Sequence, residues 1–151
     1  MKTKFLLLIY LFLFNSCSSQ DKKSAIVNDD TLKVEFYFYP SSGGNSVYNV
    51  VYENGIVKVK NNENVNNNTF NRKFTEEENK EIIKKLNYIK VSKNITTEII
   101  LDSWRIELKI DSKIFYNKSG IKIKDLPDDI KILLNMLIKD SKVKIDLYDF
   151  S

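Results

Sequence analysis

The chain has 151 residues, of which 24 are basic and 20 acidic, and its formal net charge is +4; it contains one cysteine and no histidine. Histidine-dependent acid–base catalysis, Ser-His-Asp or Cys-His nucleophilic sites and zinc sites of the Cys/His type are therefore excluded, because each needs residues that are absent. A single cysteine also excludes an intrachain disulfide, and the near-even charge balance argues against a nucleic-acid partner.

The N-terminal segment has the pattern of an export signal. Lys2 and Lys4 precede ten consecutive apolar residues, Phe5 to Phe14, and Asn15-Ser16-Cys17 follows. At a helical rise of about 1.5 Å per residue the apolar run covers roughly 15 Å, which is half of a ~30 Å hydrocarbon core. We therefore interpret it as the apolar region of a cleaved signal and not as a permanent membrane span.

The end of this segment resembles the lipobox of bacterial lipoproteins, in which a cysteine follows a small residue after the apolar run. The resemblance implies that residues 1–16 are a signal peptide and that the Cys17 thiol carries diacylglycerol. It also implies that Cys17, acylated with chains such as palmitate, anchors the mature protein in the lipid bilayer. The alternatives are a plain cleaved signal and an uncleaved anchor. Loss of Lys2 and Lys4 lowers the net charge from +4 to +2.

Residues 17–31 are polar and are predicted to form a flexible tether. Asp30-Thr31-Leu32 resembles the Asp-Thr-apolar triplet that some Bacteroidetes-type bacteria O-glycosylate in the periplasm, so Thr31 is a candidate modification site. In some related bacteria, acidic residues after the lipidated cysteine direct export to the cell surface. Residues 18–23 contain one acid followed by two bases. We therefore expect a periplasm-facing protein of the cell envelope, with the outer membrane favoured and surface display as the alternative.

The first half of the remaining chain predicts three strands. Residues 32–39 alternate between apolar side chains and the polar or tyrosine side chains of Lys33, Glu35, Tyr37 and Tyr39, which is typical of a half-buried strand. Residues 40–45, with two glycines, predict a plain loop, because the lysine and following helix of a phosphate-binding loop are absent. Residues 46–52 and 56–60 flank Asn54-Gly55, a strong hairpin signal. Residues 61–68, rich in asparagine, predict a mobile loop.

The second half predicts two helices and three strands. Thr75-Glu76-Glu77-Glu78 is a capping box that begins a helix, and this reading outweighs the three glutamates as metal ligands, since they point in different directions. Residues 104–110 alternate, and Asp111-Ser112 is expected to turn the chain with either a two- or a three-residue loop. Trp104 is predicted to pack at the strand end, with a ligand platform as the alternative. Pro127 opens a second helix with a full apolar stripe, and residues 143–148 predict a closing strand.

This order predicts one α+β domain over residues 32–151, an antiparallel sheet of about five to six strands with two helices packed on one face. The pattern resembles small, functionally uncharacterised envelope lipoproteins of Bacteroidetes-type bacteria, a resemblance that implies no catalytic residues. No metal or other cofactor is predicted.

Two classes of function remain. The preferred one is a non-catalytic binding or accessory module, of which an immunity or inhibitor protein is a variant, that contacts an envelope protein or ligand. Its candidate surface is the outer side of the sheet, with Tyr37, Tyr39, Tyr48 and Tyr52, because tyrosine is favoured in contact surfaces; the alternative is that these tyrosines only cover the edges of the sheet. The alternative is a small periplasmic hydrolase that uses two carboxylates; such an enzyme needs two buried acids facing one pocket about 5–10 Å apart.

Overall fold

The computed structural model describes residues 32–41, 43–63, 69–92, 96–98 and 103–147. The predicted signal peptide, Cys17, the tether and Thr31 lie outside these residues, as does the asparagine-rich stretch 64–68.

Seven strands form one sheet within the described residues. They are β1 Lys33–Tyr39, β2 Tyr48–Glu53, β3 Ile56–Asn61, β4 Thr69–Lys73, β5 Thr96–Glu98, β6 Arg105–Ile110 and β7 Lys113–Ser119. Their order across the sheet is β4-β3-β2-β1-β6-β7-β5. The first six in this order pair antiparallel, and the short β5 pairs parallel with β7. The predicted α+β class, an antiparallel sheet with two helices, is confirmed, with one short parallel strand in addition.

Two tight turns set the hairpin registers. Asn54 and Gly55 adopt φ of 50° and 74° between β2 and β3, and a Cβ at Gly55 would lie 2.7 Å from Asn79 Nδ2. Asp111 and Ser112 also have positive φ, so β6 turns into β7 through two residues and Ile110 pairs with Lys113. Of the two registers considered for this hairpin, the structure has the two-residue one, followed by an irregularity between Leu108 and Lys109.

Two helices cover one face of the sheet: α1 Glu76–Ser92 and α2 Asp128–Ile138. The predicted capping box is present, because the Glu78 amide donates to the Thr75 hydroxyl at 3.2 Å and the Thr75 amide donates to the Glu78 carboxylate at 3.0 Å. An ion pair of 3.3 Å between Lys85 and Asp129 links the two helices. A 3-10 turn, Ile123–Asp125, leads into α2.

The core lies between the helices and the inner face of the sheet. Alternation along the strands directs the even-numbered residues of β1 inward, and the apolar stripe of each helix meets them. The fully buried side chains include Phe36, Phe38, Ile82, Leu86, Ile106, Leu108, Leu133, Leu134 and Leu137. Trp104 is half-buried and packs against this core, in agreement with the predicted packing role.

Three elements differ from the sequence-based prediction. The closing strand is wrong for its described part, because residues 143–147 form no strand. Val143 is buried and Ile145 is partly buried, so the alternating apolar side chains of this segment pack on the core although its backbone does not pair with the sheet. Strands β4 and β5 were not predicted; β4 has a single apolar residue, Phe70, and therefore no clear alternation.

Candidate functional site

The outer face of the sheet carries the polar side chains that the strands direct away from the helices. Because residues paired across antiparallel strands share a face, the register places Glu35 opposite Lys109, Tyr37 opposite Glu107 and Tyr39 opposite Arg105. On the other side of β1, Tyr37 lies opposite Asn49. Acids, cations and tyrosines of β1 and β6 therefore interleave on one surface, which we call the outer network.

Glu35 is tightly held in this network although it faces away from the core. Its side chain accepts a hydrogen bond from the Tyr37 hydroxyl and forms an ion pair with Lys33, both at 2.8 Å, and the residue is only 7% exposed. Burial raises the pKa of Glu35, but the hydrogen bonds from Lys33 and Tyr37 outweigh it, and the net pKa lies below its ordinary value. Glu35 is therefore a carboxylate throughout the neutral range.

Glu107 occupies the equivalent position on β6 and is 5% exposed. It pairs with Lys109 at 3.0 Å and accepts a hydrogen bond of 3.3 Å from the Tyr39 hydroxyl. The hydrogen bond to Glu107 is the largest influence on Lys109 and raises the pKa of that ammonium group. Each buried carboxylate thus has one cation and one tyrosine hydroxyl as partners.

The two tyrosines are fixed by cations as well as by carboxylates. The Arg105 guanidinium lies 3.9 Å from the centroid of the Tyr39 ring, and Lys109 Nζ lies 5.1 Å from that of Tyr37. The ring centroids are 6.2 Å apart with an interplanar angle of 35°. Burial, followed by the hydrogen bond to Glu35, raises the pKa of Tyr37 to about 12. Burial and then the charge of Glu107 also raise the pKa of Tyr39.

An open cavity of about 610 Å³ borders both tyrosines at the end of the sheet where β1 leads into β2. Its lining includes Tyr37, Tyr39, Asn45, Ser46, Lys60, Asn62 and Glu63. Hydrogen bonds hold the wall opposite the tyrosines: Asn62 Nδ2 donates to the Ser46 carbonyl at 2.8 Å, and the Asn62 amide donates to the Val47 carbonyl at 2.7 Å. The size lies within the ~300–1,000 Å³ range of small-molecule sites.

The predicted row of four tyrosines is wrong as a single surface. Tyr37 and Tyr39 lie on the outer face, whereas Tyr48 and Tyr52 are buried on the inner face. Tyr48 pairs with Phe38 and meets its ring edge-on, with centroids 6.5 Å apart. The Tyr52 hydroxyl donates to Asn79 Oδ1 of α1 at 3.0 Å. The other predicted site residues, Cys17 and Thr31, lie outside the described residues.

The buried carboxylates bear on the hydrolase alternative. Among the residues whose side-chain burial the structure describes, Glu35 and Glu107 are the two buried acids, and they lie on neighbouring strands. However, neither belongs to the cavity lining, and each is paired with a lysine. A general acid of a glycoside hydrolase needs a raised pKa, and that of Glu35 is lowered. We therefore interpret the two acids as partners that hold the tyrosines and cations of the outer network in place.

The cavity-lining residues outside β1 were not predicted from the sequence. Lys60, Asn62 and Ser46 come from segments that the sequence marks only as a strand end and a loop, and their meeting with Tyr39 depends on the pairing of β1, β2 and β3. The Asn54-Gly55 hairpin signal fixes the pairing of β2 with β3 and could have placed Lys60 opposite Asn49. Tyr37 and Tyr39 reach the same cavity only through the pairing of β1 with β2, which the loop of residues 40–47 separates in sequence.

Two further features are absent from the part of the chain that the structure describes. Neither helix there is long and apolar enough to cross a membrane. The same residues contain no group of three or more acidic, histidine or cysteine side chains that could hold a metal ion. No protein-family model matches the chain, and no curated protein or solved structure is significantly similar to it.

Proposed function

We propose that this chain is a lipid-anchored protein of the bacterial envelope whose α+β domain acts as a non-catalytic binding module. The observation that carries the binding role is the open cavity beside Tyr37 and Tyr39, two rings that the outer network holds in place. The anchor rests on the sequence alone, on the apolar run that ends at Cys17.

The geometry favours recognition because the contact residues are ordered before a ligand arrives. A side chain fixed beforehand loses less conformational entropy on binding, and that loss costs about 0.5–1.5 kcal/mol for each rotamer-rich side chain that becomes immobilised. Tyr39 is fixed by Arg105 on its ring and by Glu107 at its hydroxyl. Tyrosine also combines a large apolar area with a polar end, which suits a half-exposed contact surface.

Membrane attachment by lipid makes no demand on the folded domain. Each buried methylene contributes about 0.8 kcal/mol, and two or more acyl chains give stable anchoring. We expect labelled palmitate to enter the wild-type chain and not Cys17→Ala. Equal labelling of the two chains would refute the lipid anchor while leaving the binding role of the domain open.

Co-purification tests the binding role. The full-length acylated protein, solubilised in detergent, serves as bait for envelope extracts, with Lys60→Ala as the test variant and Lys58→Ala as its control. Both lysines are on the outer face of β3, but Lys60 lines the cavity and Lys58 does not. We expect the wild type and Lys58→Ala to retain a common partner or ligand that Lys60→Ala loses. Retention of the same set by all three would contradict a binding role for this cavity.

A further inference from the structure

We infer that the cavity beside Tyr37 and Tyr39 binds a saccharide; this inference rests on the proposed binding function of the same surface. Three properties of the cavity favour a saccharide: the position of the two rings, the mixture of donors and acceptors in its wall, and the pairing of β1, β2 and β3 on both sides, which leaves no free strand edge at this place.

The tyrosines offer a stacking surface on one side. Arg105 and Lys109 contact the rings from β6, which neighbours β1 on one side. The rest of the cavity wall comes from the loop before β2, from Lys60 of β3 and from the residues just after β3. That loop lies on the β2 side of β1, because the Val47 amide donates to the Phe38 carbonyl at 2.7 Å. The side of each ring toward β2 is therefore the one that borders the cavity. A ring fixed in this way suits a ligand with a flat apolar face, such as the C–H face of a pyranose.

The polar groups around the rings suit a ligand rich in hydroxyl groups. Each tyrosine hydroxyl uses its proton in a bond to Glu35 or Glu107 and keeps lone pairs that can accept. Asn62 uses Nδ2 on the Ser46 carbonyl, which leaves its Oδ1 as an acceptor. Lys60 supplies donors and forms no ion pair with any residue of the described chain. Sugar hydroxyls both donate and accept, so they can satisfy both kinds of group.

The dimensions agree with a short oligosaccharide. Strands lie about 4.8 Å apart, so β1 and β3 are separated by about 10 Å, and Tyr37 to Tyr39 spans about 7 Å along β1. This footprint accommodates one or two sugar rings. A peptide added as a strand fits less well, because β1, β2 and β3 each pair with a strand on both sides and offer no free backbone edge here.

Ligand-observed saturation-transfer NMR with the full-length chain in detergent tests the inference. The probes are maltotriose, chitotriose and trigalacturonate, which are neutral, amide-bearing and acidic trisaccharides. We expect at least one to receive saturation at its ring C–H protons. Loss of a hydrogen bond from a charged donor costs about 1.5–3 kcal/mol, so Lys60→Ala should weaken that probe by about tenfold or more, and Lys58→Ala should leave its affinity within about twofold.

The outcomes separate this inference from the proposed function. If none of the three probes receives saturation at millimolar concentration, the saccharide assignment is overturned. If the probes fail but Lys60→Ala still loses a protein or peptide partner in co-purification, the cavity binds another class of ligand and the proposed function stands. Binding of a probe that is equal in Lys60→Ala and Lys58→Ala would place the saccharide elsewhere and also overturn the assignment.

Discussion

Removal of the Tyr37 hydroxyl should destabilise the domain by about 2 kcal/mol near neutral pH. The hydroxyl donates to the ionised Glu35 carboxylate at 2.8 Å, and a hydrogen bond to a charged group contributes about 1.5–3 kcal/mol. The rise of the pKa of Tyr37 from 10.0 to about 12 corresponds to roughly 3 kcal/mol. That rise measures the extra cost of ionising Tyr37 in the folded state, chiefly through burial. Near neutral pH the hydroxyl is protonated in the folded and the unfolded state, so the hydrogen-bond figure applies there.

The effect of Tyr37→Phe should also depend on pH. The pKa of Tyr37 is higher in the folded state than its ordinary value, so its contribution to stability is fully present below about pH 10 and is lost as the pH rises through about 12. Phenylalanine does not titrate. The free energies of unfolding of wild type and Tyr37→Phe should therefore converge at strongly alkaline pH.

Urea unfolding of the full-length chain, followed by circular dichroism at a series of pH values, measures this difference. Tyr88→Phe is the matched control, because the residue is 60% exposed and its hydroxyl makes none of the side-chain hydrogen bonds found among the described residues. It should change the free energy of unfolding by less than about 0.5 kcal/mol. A gap between wild type and Tyr37→Phe that stays constant up to strongly alkaline pH would refute the raised pKa of Tyr37, and a loss below about 0.5 kcal/mol near neutral pH would contradict a stabilising hydrogen bond to Glu35.

Three further changes test the acid side of the network, the helix cap and the core. The pKa of Glu35 is lowered from 4.5, so the ionised carboxylate contributes to stability above that pH, and this contribution is lost as the pH falls through the pKa of the folded state. In urea titrations, the free energy of unfolding of Glu35→Gln should therefore fall less steeply with acidification than that of the wild type. Thr75→Ala should cost about 1 kcal/mol and Thr75→Ser much less, since serine keeps the oxygen that caps α1; equal losses in urea would refute the cap. Leu134→Ala should cost about 2–5 kcal/mol in the same assay, because the side chain is fully buried, whereas a loss below about 1 kcal/mol would contradict its placement.

The sequence was sufficient for elements whose signals are local. The alternation of residues 33–39, the Asn54-Gly55 turn and the Thr75 capping box each act within a few residues, and all three are present as predicted. Residues 143–147 show the limit of such signals. Period-two alternation reports which side chains face the core, and Val143 does; it does not report whether a neighbouring strand is available for backbone hydrogen bonds.

The error at Tyr48 and Tyr52 has a similar origin. Alternation places these two residues on one side of β2 and Asn49 on the other, but it leaves open which side faces inward. The prediction grouped tyrosines by residue type. A comparison of the two sides would have favoured Tyr48 and Tyr52 for the core, because the opposite side holds Asn49 and Glu53, which are costlier to bury.

The outer network is fixed by the packing of the opposite face. Phe36 pairs with Leu108 and Phe38 with Ile106, and all four side chains are completely buried under the helices. A slip of one residue between β1 and β6 would turn one of these apolar sets out to solvent, so the core strongly specifies the register. The same register places Tyr37 opposite Glu107, although 70 positions separate them in the chain. The candidate site therefore depends on a strand pairing that is specified by the core and not by the site's own residues. Core substitutions that loosen the β1–β6 register should impair binding, even though they lie on the other side of the sheet.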